Sequence, residues 1–316
     1  MRYVVTGGAG FIGSHLVERL VADGEEVVVL DDFSTGKREN LQGLEGRAKV
    51  MEGSVTDLEV CREAVDGADR VLHQAALPSV PRSLRDPVAT TGVNVLGTLN
   101  MLMACQERGV RRMVFAASSS AYGNVAELPK KENRPPLPES PYAASKVAGE
   151  AYLRAFHASF DLETVGLRYF NIFGPRQDPS SQYAAVVPKF IAAALTGEPP
   201  VIFGDGEQTR DFTYVANAVD ANLLASRAPA ETVAGRIFNV GAGARISVNE
   251  LWDRVRRATG RSVEARYAAA RPGDVRDSLA SLAAAGEALG YTPRVDVNEG
   301  LERTVAFFRE PLESAS

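Results

Sequence analysis

Tyr3-Val4-Val5-Thr6-Gly7-Gly8-Ala9-Gly10-Phe11-Ile12-Gly13-Ser14-His15-Leu16-Val17 decides how the rest of the chain is read. Tyr3 to Thr6 fits a short buried strand, and Leu16, Val17 and Leu20 begin a helical pattern. Between them, Gly7, Gly10 and Gly13 allow a turn tight enough for backbone to approach a pyrophosphate at a helix N-terminus, with Phe11 and Ile12 beside it. A second strand, Val27-Val28-Val29-Leu30, ends in Asp31-Asp32. Asp31 lies 18 residues past Gly13 (31 − 13), where a carboxylate accepts hydrogen bonds from adenosine ribose hydroxyls and repels a 2′-phosphate. The expected cofactor is therefore NAD rather than NADP, although Lys37 and Arg38 pull the other way.

The alternation continues outward. Val50-Met51, Arg70 to His73, Met113 to Ala117, Glu163 to Arg168 and Arg236 to Val240 read as strands. Asp57 to Val65, Val88 to Glu107, Tyr142 to about Phe160 and Val215 to Arg227 read as helices between them. Strictly alternating strands and helices imply an α/β chain with a doubly wound, Rossmann-type parallel sheet. Ligands then bind beyond the C-terminal strand ends, where Gly7, Asp31, Gln74-Ala75-Ala76 and Ser118 all fall. After Gln177 the alternation loosens, and a helix over Val186–Leu195, a strand over Val201–Phe203 and helices near Val248–Thr259 and Asn298–Phe308 suggest a smaller, mixed α/β substrate-binding lobe. The expected division is 1–171 plus about 215–244 for the dinucleotide domain, and about 172–214 plus 245–316 for the lobe.

Composition narrows the function. The 316 residues are 45% hydrophobic and 24% charged, with a formal net charge of −5 that disfavours a nucleic-acid surface. Cys61 and Cys105 fall in helical patterns and imply no disulfide framework, and three scattered histidines offer no metal site. The first strand starts almost at Met1 and no apolar run reaches membrane-spanning length, so the expectation is a cytoplasmic protein.

The chemistry is expected at Tyr142 and Lys146, a phenol and an ammonium one helical turn apart on one face. A tyrosine held beside a cation favours its phenolate and can serve as a base near neutral pH. The same spacing also occurs on ordinary solvated helix faces.

Taken together, these residues resemble the extended short-chain dehydrogenase/reductase family, and within it the nucleotide-sugar 4-epimerases. Thr6 to Gly13 looks like the family's cofactor loop, Ser118 its catalytic Ser/Thr, and Tyr142-Ala143-Ala144-Ser145-Lys146 its Tyr-x-x-x-Lys. The resemblance implies NAD contacts at Phe11, Ile12, Asp31, Asp32, Ser34, Thr35, Gly36, Ser54, Val55, Gln74, Ala75, Ala76, Asn94, Tyr142, Lys146 and Phe170. Ser54 departs from the acid found in many relatives. It implies substrate contacts at Ser79, Ser118, Ser119, Asn171, Ala185, Val186, Lys189, Arg210, Arg271 and Asp274, with Arg210 and Arg271 suited to a diphosphate. Dehydratase-like relatives carry Asp-Glu where this chain has Ser119-Ser120, and the decarboxylase glutamate and the reductase Cys/His pair have no counterpart. What remains is a UDP-hexose 4-epimerase, with another nucleotide-sugar-modifying dehydrogenase or a non-catalytic dinucleotide sensor as alternatives. Ser278, where a tyrosine would restrict the pocket, leaves space for an N-acetyl group. By the same resemblance, the protein is expected to be a homodimer.

Overall fold

The computed structural model describes residues 1–179, 185–270 and 275–314. Seven strands form one sheet: β1 (Arg2–Thr6), β2 (Glu26–Asp31), β3 (Lys49–Glu52), β4 (Arg70–His73), β5 (Arg112–Ser118), β6 (Glu163–Tyr169) and β7 (Arg236–Val240). Their order is β7-β6-β5-β4-β1-β2-β3, and every neighbouring pair is parallel. The two-residue period of a strand divides β1 between two cores. Tyr3 and Val5 face α1 (Phe11–Ala22) and α5 (Val215–Arg227), where Leu16, Leu20, Ala218 and Leu223 pack with Phe238. Val4 faces the opposite side, with Cys61 of α2 (Leu58–Ala64), Met101 and Leu102 of α3 (Gly97–Glu107) and Leu153 of α4 (Pro141–Phe160). The doubly wound sheet expected from the alternation is present.

A third core lies beyond the sheet's C-terminal edge. Phe190 and Ile191 of helix Val186–Thr196 pack with Trp252 and Val255 of helix Val248–Thr259 and with Leu301 and Val305 of helix Val297–Ser314. Ser247 and Glu250 close a reciprocal cap on the middle helix, and Gly260 ends it in the left-handed conformation. Helix Ala283–Leu289 takes a different course. Its Ala285 and Leu289 join Phe238 and Ala218 in the first core rather than the lobe core.

The helix expected without interruption from Val88 to Glu107 is broken. Pro87–Thr91 and α3 are joined by a π-turn at Gly92–Leu96, where one inserted residue rotates the preceding turn by about 100° relative to α3. Asn94 and Thr98 consequently point inward, while Leu96 is 48% exposed. The run Pro87–Glu107 also corrects the expectation that no apolar stretch reaches membrane-spanning length. It spans 21 residues and is apolar enough, but half of it is buried inside the fold.

Candidate active site

One cavity of about 1170 Å³ opens along the C-terminal edge of the sheet, across the point between β1 and β4 where strand order reverses. At the glycine turn, a Cβ on Gly7 would lie 2.8 Å from Ala75 N, and one on Gly13 only 2.0 Å from Gly7 O. The turn is closed against itself and against the strand beside it. Helix α1 begins there with neither a side-chain cap nor an acid in its first turn, so nothing of its own neutralises the positive end. Asp31 is buried, and its carboxylate accepts the backbone N–H of Ala9 and of Phe33, both at 2.9 Å. Burial raises its pKa, against those two bonds. Lys37 pairs with Asp178, and Arg38 pairs with Glu52 while covering the Phe33 ring at 4.0 Å. Both cations that a 2′-phosphate would need are thus engaged by the protein itself.

The opposite wall carries the chemistry. Ser140 caps α4 by accepting Ala143 N–H, and Pro141 occupies the first turn. Gly149 lets the helix sit close to β5, because a Cβ there would be 2.5 Å from the Phe115 ring. Tyr142 and Lys146 are thereby held over the ends of β4 and β5. Lys146 Nζ donates to the Ala116 carbonyl at 2.8 Å and lies 4.9 Å from the Phe115 ring centroid. Ser118 ends β5 and hydrogen-bonds Tyr142, while its Oγ accepts from the Ser120 backbone and hydroxyl at 3.2 and 2.8 Å. Burial raises the Tyr142 phenol above its ordinary value, and the Ser118 bond opposes it. Burial draws Lys146 down to about 7, opposed by Glu150. Burial therefore disfavours both charges, against Ser118 and Glu150, and a cationic ring beside them would favour the phenolate.

Most expected contacts meet on this one cavity. Gly7, Gly10, Phe11, Ile12, Gly13, Asp31, Asp32, Ser34, Thr35, Gly36, Val55, Gln74, Ala75 and Ala76 line it, as do Ser79, Ser118, Ser119, Tyr142, Lys146, Asn171, Ala185, Arg210 and Ser278. Five described residues are not on its wall. Ser54 bonds Thr56 instead; Asn94 is buried, holding Leu77 N–H and donating to Ser145 Oγ; Phe170 is buried against Tyr122 and Ala280. Val186 and Lys189 lie in the first turn of their helix, behind Ala185. Arg271 and Asp274 fall outside the described residues.

Three further residues belong to the site's surroundings. Arg176 Nη1 and Gln177 Oε1 are buried beside the cavity without a hydrogen-bond partner, as groups awaiting a polar ligand would be. Asp211, next to Arg210, gathers the backbone N–H groups of Ala242, Gly243 and Ala280 onto one carboxylate. Its own carbonyl accepts from the Asn171 side chain at 3.3 Å. Burial pushes the Asp211 carboxyl up to about 6. The tight glycine turn, the uncapped helix end, the unpartnered Nη1 of Arg176 and the buried Asp31 carboxylate together suit a dinucleotide with an uncharged 2′-position.

The model of the NAD dependent epimerase/dehydratase family matches residues 3–241. The chain belongs to the NAD-dependent epimerase/dehydratase family. NAD is the cofactor of that family, as Asp31 led us to expect. A UDP-glucose 4-epimerase of Mycolicibacterium smegmatis is 42% identical over 313 residues, 98% of this chain and 99% of the relative. A Thermotoga maritima UDP-glucose 4-epimerase, solved with UDP-glucose, superposes with a TM-score of 0.94 at 40% identity, over 99% of this chain and 100% of that one. The UDP-N-acetylglucosamine 4-epimerase of Methanobrevibacter ruminantium M1, solved with UDP-N-acetylmuramic acid, gives a TM-score of 0.93 at 40% identity, over 98% of both chains.

Proposed function

We propose that this member of the NAD-dependent epimerase/dehydratase family is a UDP-hexose 4-epimerase. It would interconvert UDP-glucose with UDP-galactose and UDP-GlcNAc with UDP-GalNAc. The observation that carries the reading is the meeting of Ser118, Tyr142 and Lys146 on the wall of a cavity that also contains the glycine turn. NAD, when bound, supplies a reversible acceptor for the C4 hydride. Every other operation falls to side chains. Tyr142 takes the proton of the sugar 4-hydroxyl and later returns it. Ser118 donates a hydrogen bond to the same oxygen, and Lys146 as an ammonium supports the phenolate. Arg210, held through the Thr209 and Arg276 carbonyls, would meet the diphosphate.

The breadth of substrate rests on Ser278. It lines the cavity, is buried, and is fixed by its N–H to the Thr209 carbonyl at 3.1 Å. A small side chain there leaves space for an N-acetyl group. The lobe of about 172–214 plus 245–316 would close over the sugar, apart from helix Ala283–Leu289, which packs beneath the sheet. Homodimer formation is supported by Val88, Leu96 and Tyr152, apolar or aromatic and exposed on neighbouring helices.

The test is purified protein mixed with UDP-galactose and, separately, UDP-GalNAc, without added NAD, followed by NMR. Inversion at C4 is expected. Dehydration, decarboxylation or no change would overturn the proposal.

A further inference from the structure

The mechanism uses one face of α4 and leaves a buried charge behind it unexplained. Glu150 follows Lys146 by one helical turn and is almost wholly buried. Arg168 of β6 grips its carboxylate with two parallel bonds, Nε to Oε1 at 2.8 Å and Nη2 to Oε2 at 2.7 Å. The other guanidinium nitrogen, Nη1, is buried without a partner, and the Arg168 Cζ lies 4.5 Å over the Tyr122 ring. Tyr122 closes the short turn that begins at Ser118. Buried ion pairs are weak contributors to stability, since well-packed apolar residues of the same volume do as well or better. An incompletely bonded pair placed one turn behind the catalytic lysine therefore calls for a different account.

We propose that Glu150, gripped by Arg168, is a positioning residue for the reaction: its carboxylate supplies the negative charge that holds Lys146 Nζ as an ammonium behind Tyr142. The surroundings of Nζ leave this task to Glu150. From β5 come the Ala116 carbonyl and the Phe115 ring, neither of them charged. From β4 comes His73, which burial holds neutral by drawing its pKa to about 3. Its ring nitrogens are occupied by Thr6 Oγ1 and Thr98 Oγ1 at 2.7 and 3.1 Å. From α4 itself come Tyr142, which needs the ammonium, and Glu150, which opposes the effect of burial on the lysine. Arg168 stands behind Glu150 and gives the carboxylate a partner without which its burial would be prohibitively costly.

The proposal rests on the epimerase reading for its meaning, and its test separates the two. The pH dependence of kcat/KM for UDP-galactose is measured for wild type, Glu150→Gln and Glu150→Asp. In parallel, the phenolate absorption of the NAD-loaded protein is titrated, with Tyr142→Phe variants of each background subtracted to isolate Tyr142. Glu150→Gln is expected to move the basic limb of the rate profile down by about two pH units, the effect of one charge a helical turn away at an effective dielectric of about 20. The Tyr142 titration is expected to move upward at the same time. Glu150→Asp keeps the charge but withdraws it by one methylene, so both shifts are expected in the same directions and smaller. This variant also decides the matter if Glu150→Gln fails to fold. A uniform loss of rate with the limbs and the phenolate titration unmoved would mean that the pair is only structural, and would overturn the proposal. Wild type that leaves UDP-galactose unchanged would count against the epimerase reading instead, and the phenolate titration would still decide the role of Glu150.

Discussion

The glycine turn makes a prediction in which two neighbouring glycines should behave very differently. At Gly13 an added Cβ would sit 2.0 Å from Gly7 O and 2.8 Å from both Gly7 C and Gly8 Cα, all of them backbone atoms. Ordinary contact begins near 3.4 Å, so the loop would have to move by 3.4 − 2.0 = 1.4 Å. Backbone amides bond a phosphate oxygen only within about 2.7–3.2 Å, and a displacement of that size removes them from range. Two charge-assisted bonds at about 2 kcal/mol each come to ~4 kcal/mol, roughly a thousandfold in the Kd for NAD. At Gly10 the backbone is extended, with φ −77°, and the added Cβ would meet a single atom, Gly7 O at 3.1 Å. A shift of a few tenths of an ångström relieves that contact, and a loss of less than about tenfold is expected. The assay is NAD titration of stripped protein together with the NAD retained after gel filtration, with melting temperature measured for each variant. If Gly13→Ala kept wild-type affinity, or if both alanine variants lost it equally, the cradle assigned to this turn would be wrong.

Three further outcomes are expected. Tyr142→Phe should lower kcat by about 10²–10⁴-fold, the range of a lost general base, while bound NAD measured by absorbance stays unchanged. Ser278→Tyr should reduce UDP-GalNAc turnover by at least about tenfold and leave UDP-galactose within about twofold, as read by NMR; intact N-acetyl turnover would remove Ser278 from the account of specificity. Asp211 should leave its mark on stability against pH. Its folded pKa of about 6 lies above the ordinary 3.8, so the folded state holds the proton more tightly than the unfolded state does. The stabilisation from this group is complete below about pH 4 and is lost as pH rises through 6, to a limit of about 3 kcal/mol. Urea unfolding of wild type against Asp211→Asn between pH 4 and 7 should show that slope in the difference, and a flat or rising difference would refute it.

The sheet was legible because its strands are β-branched runs bounded by glycine and acidic turns, each joined to the next by a helical period. Sequence alone could not reveal the π-turn. Val93, Leu96, Leu99 and Leu102 keep helical spacing through it, and only the structure turns Leu96 outward and Asn94 inward. Helix Ala283–Leu289 was passed over because three alanines carry no stripe, although Leu289 and Tyr291 nearby are core residues. Among site residues, those on strand ends and turns were readable, since backbone geometry fixes where they point. Phe170 and Lys189 were less so, because whether a side chain reaches the wall depends on packing several strands away. Glu150 did have a signal, a carboxylate one turn beyond Lys146, but its meaning emerged only with Arg168 across from it on the neighbouring strand.

The strand order also has a consequence for biosynthesis. Six strands, β1 to β6, are complete by Tyr169, yet β7 does not begin until Arg236, after the 66 residues 170–235 have been made. Throughout that interval the outer side of β6 presents unpaired backbone groups, and the apolar partners of Phe238 and Val240 lack their cover. The nascent chain therefore passes through a stage with an open, sticky border. Translation speed between codons 170 and 235 sets how long that border stays available to the wrong partner.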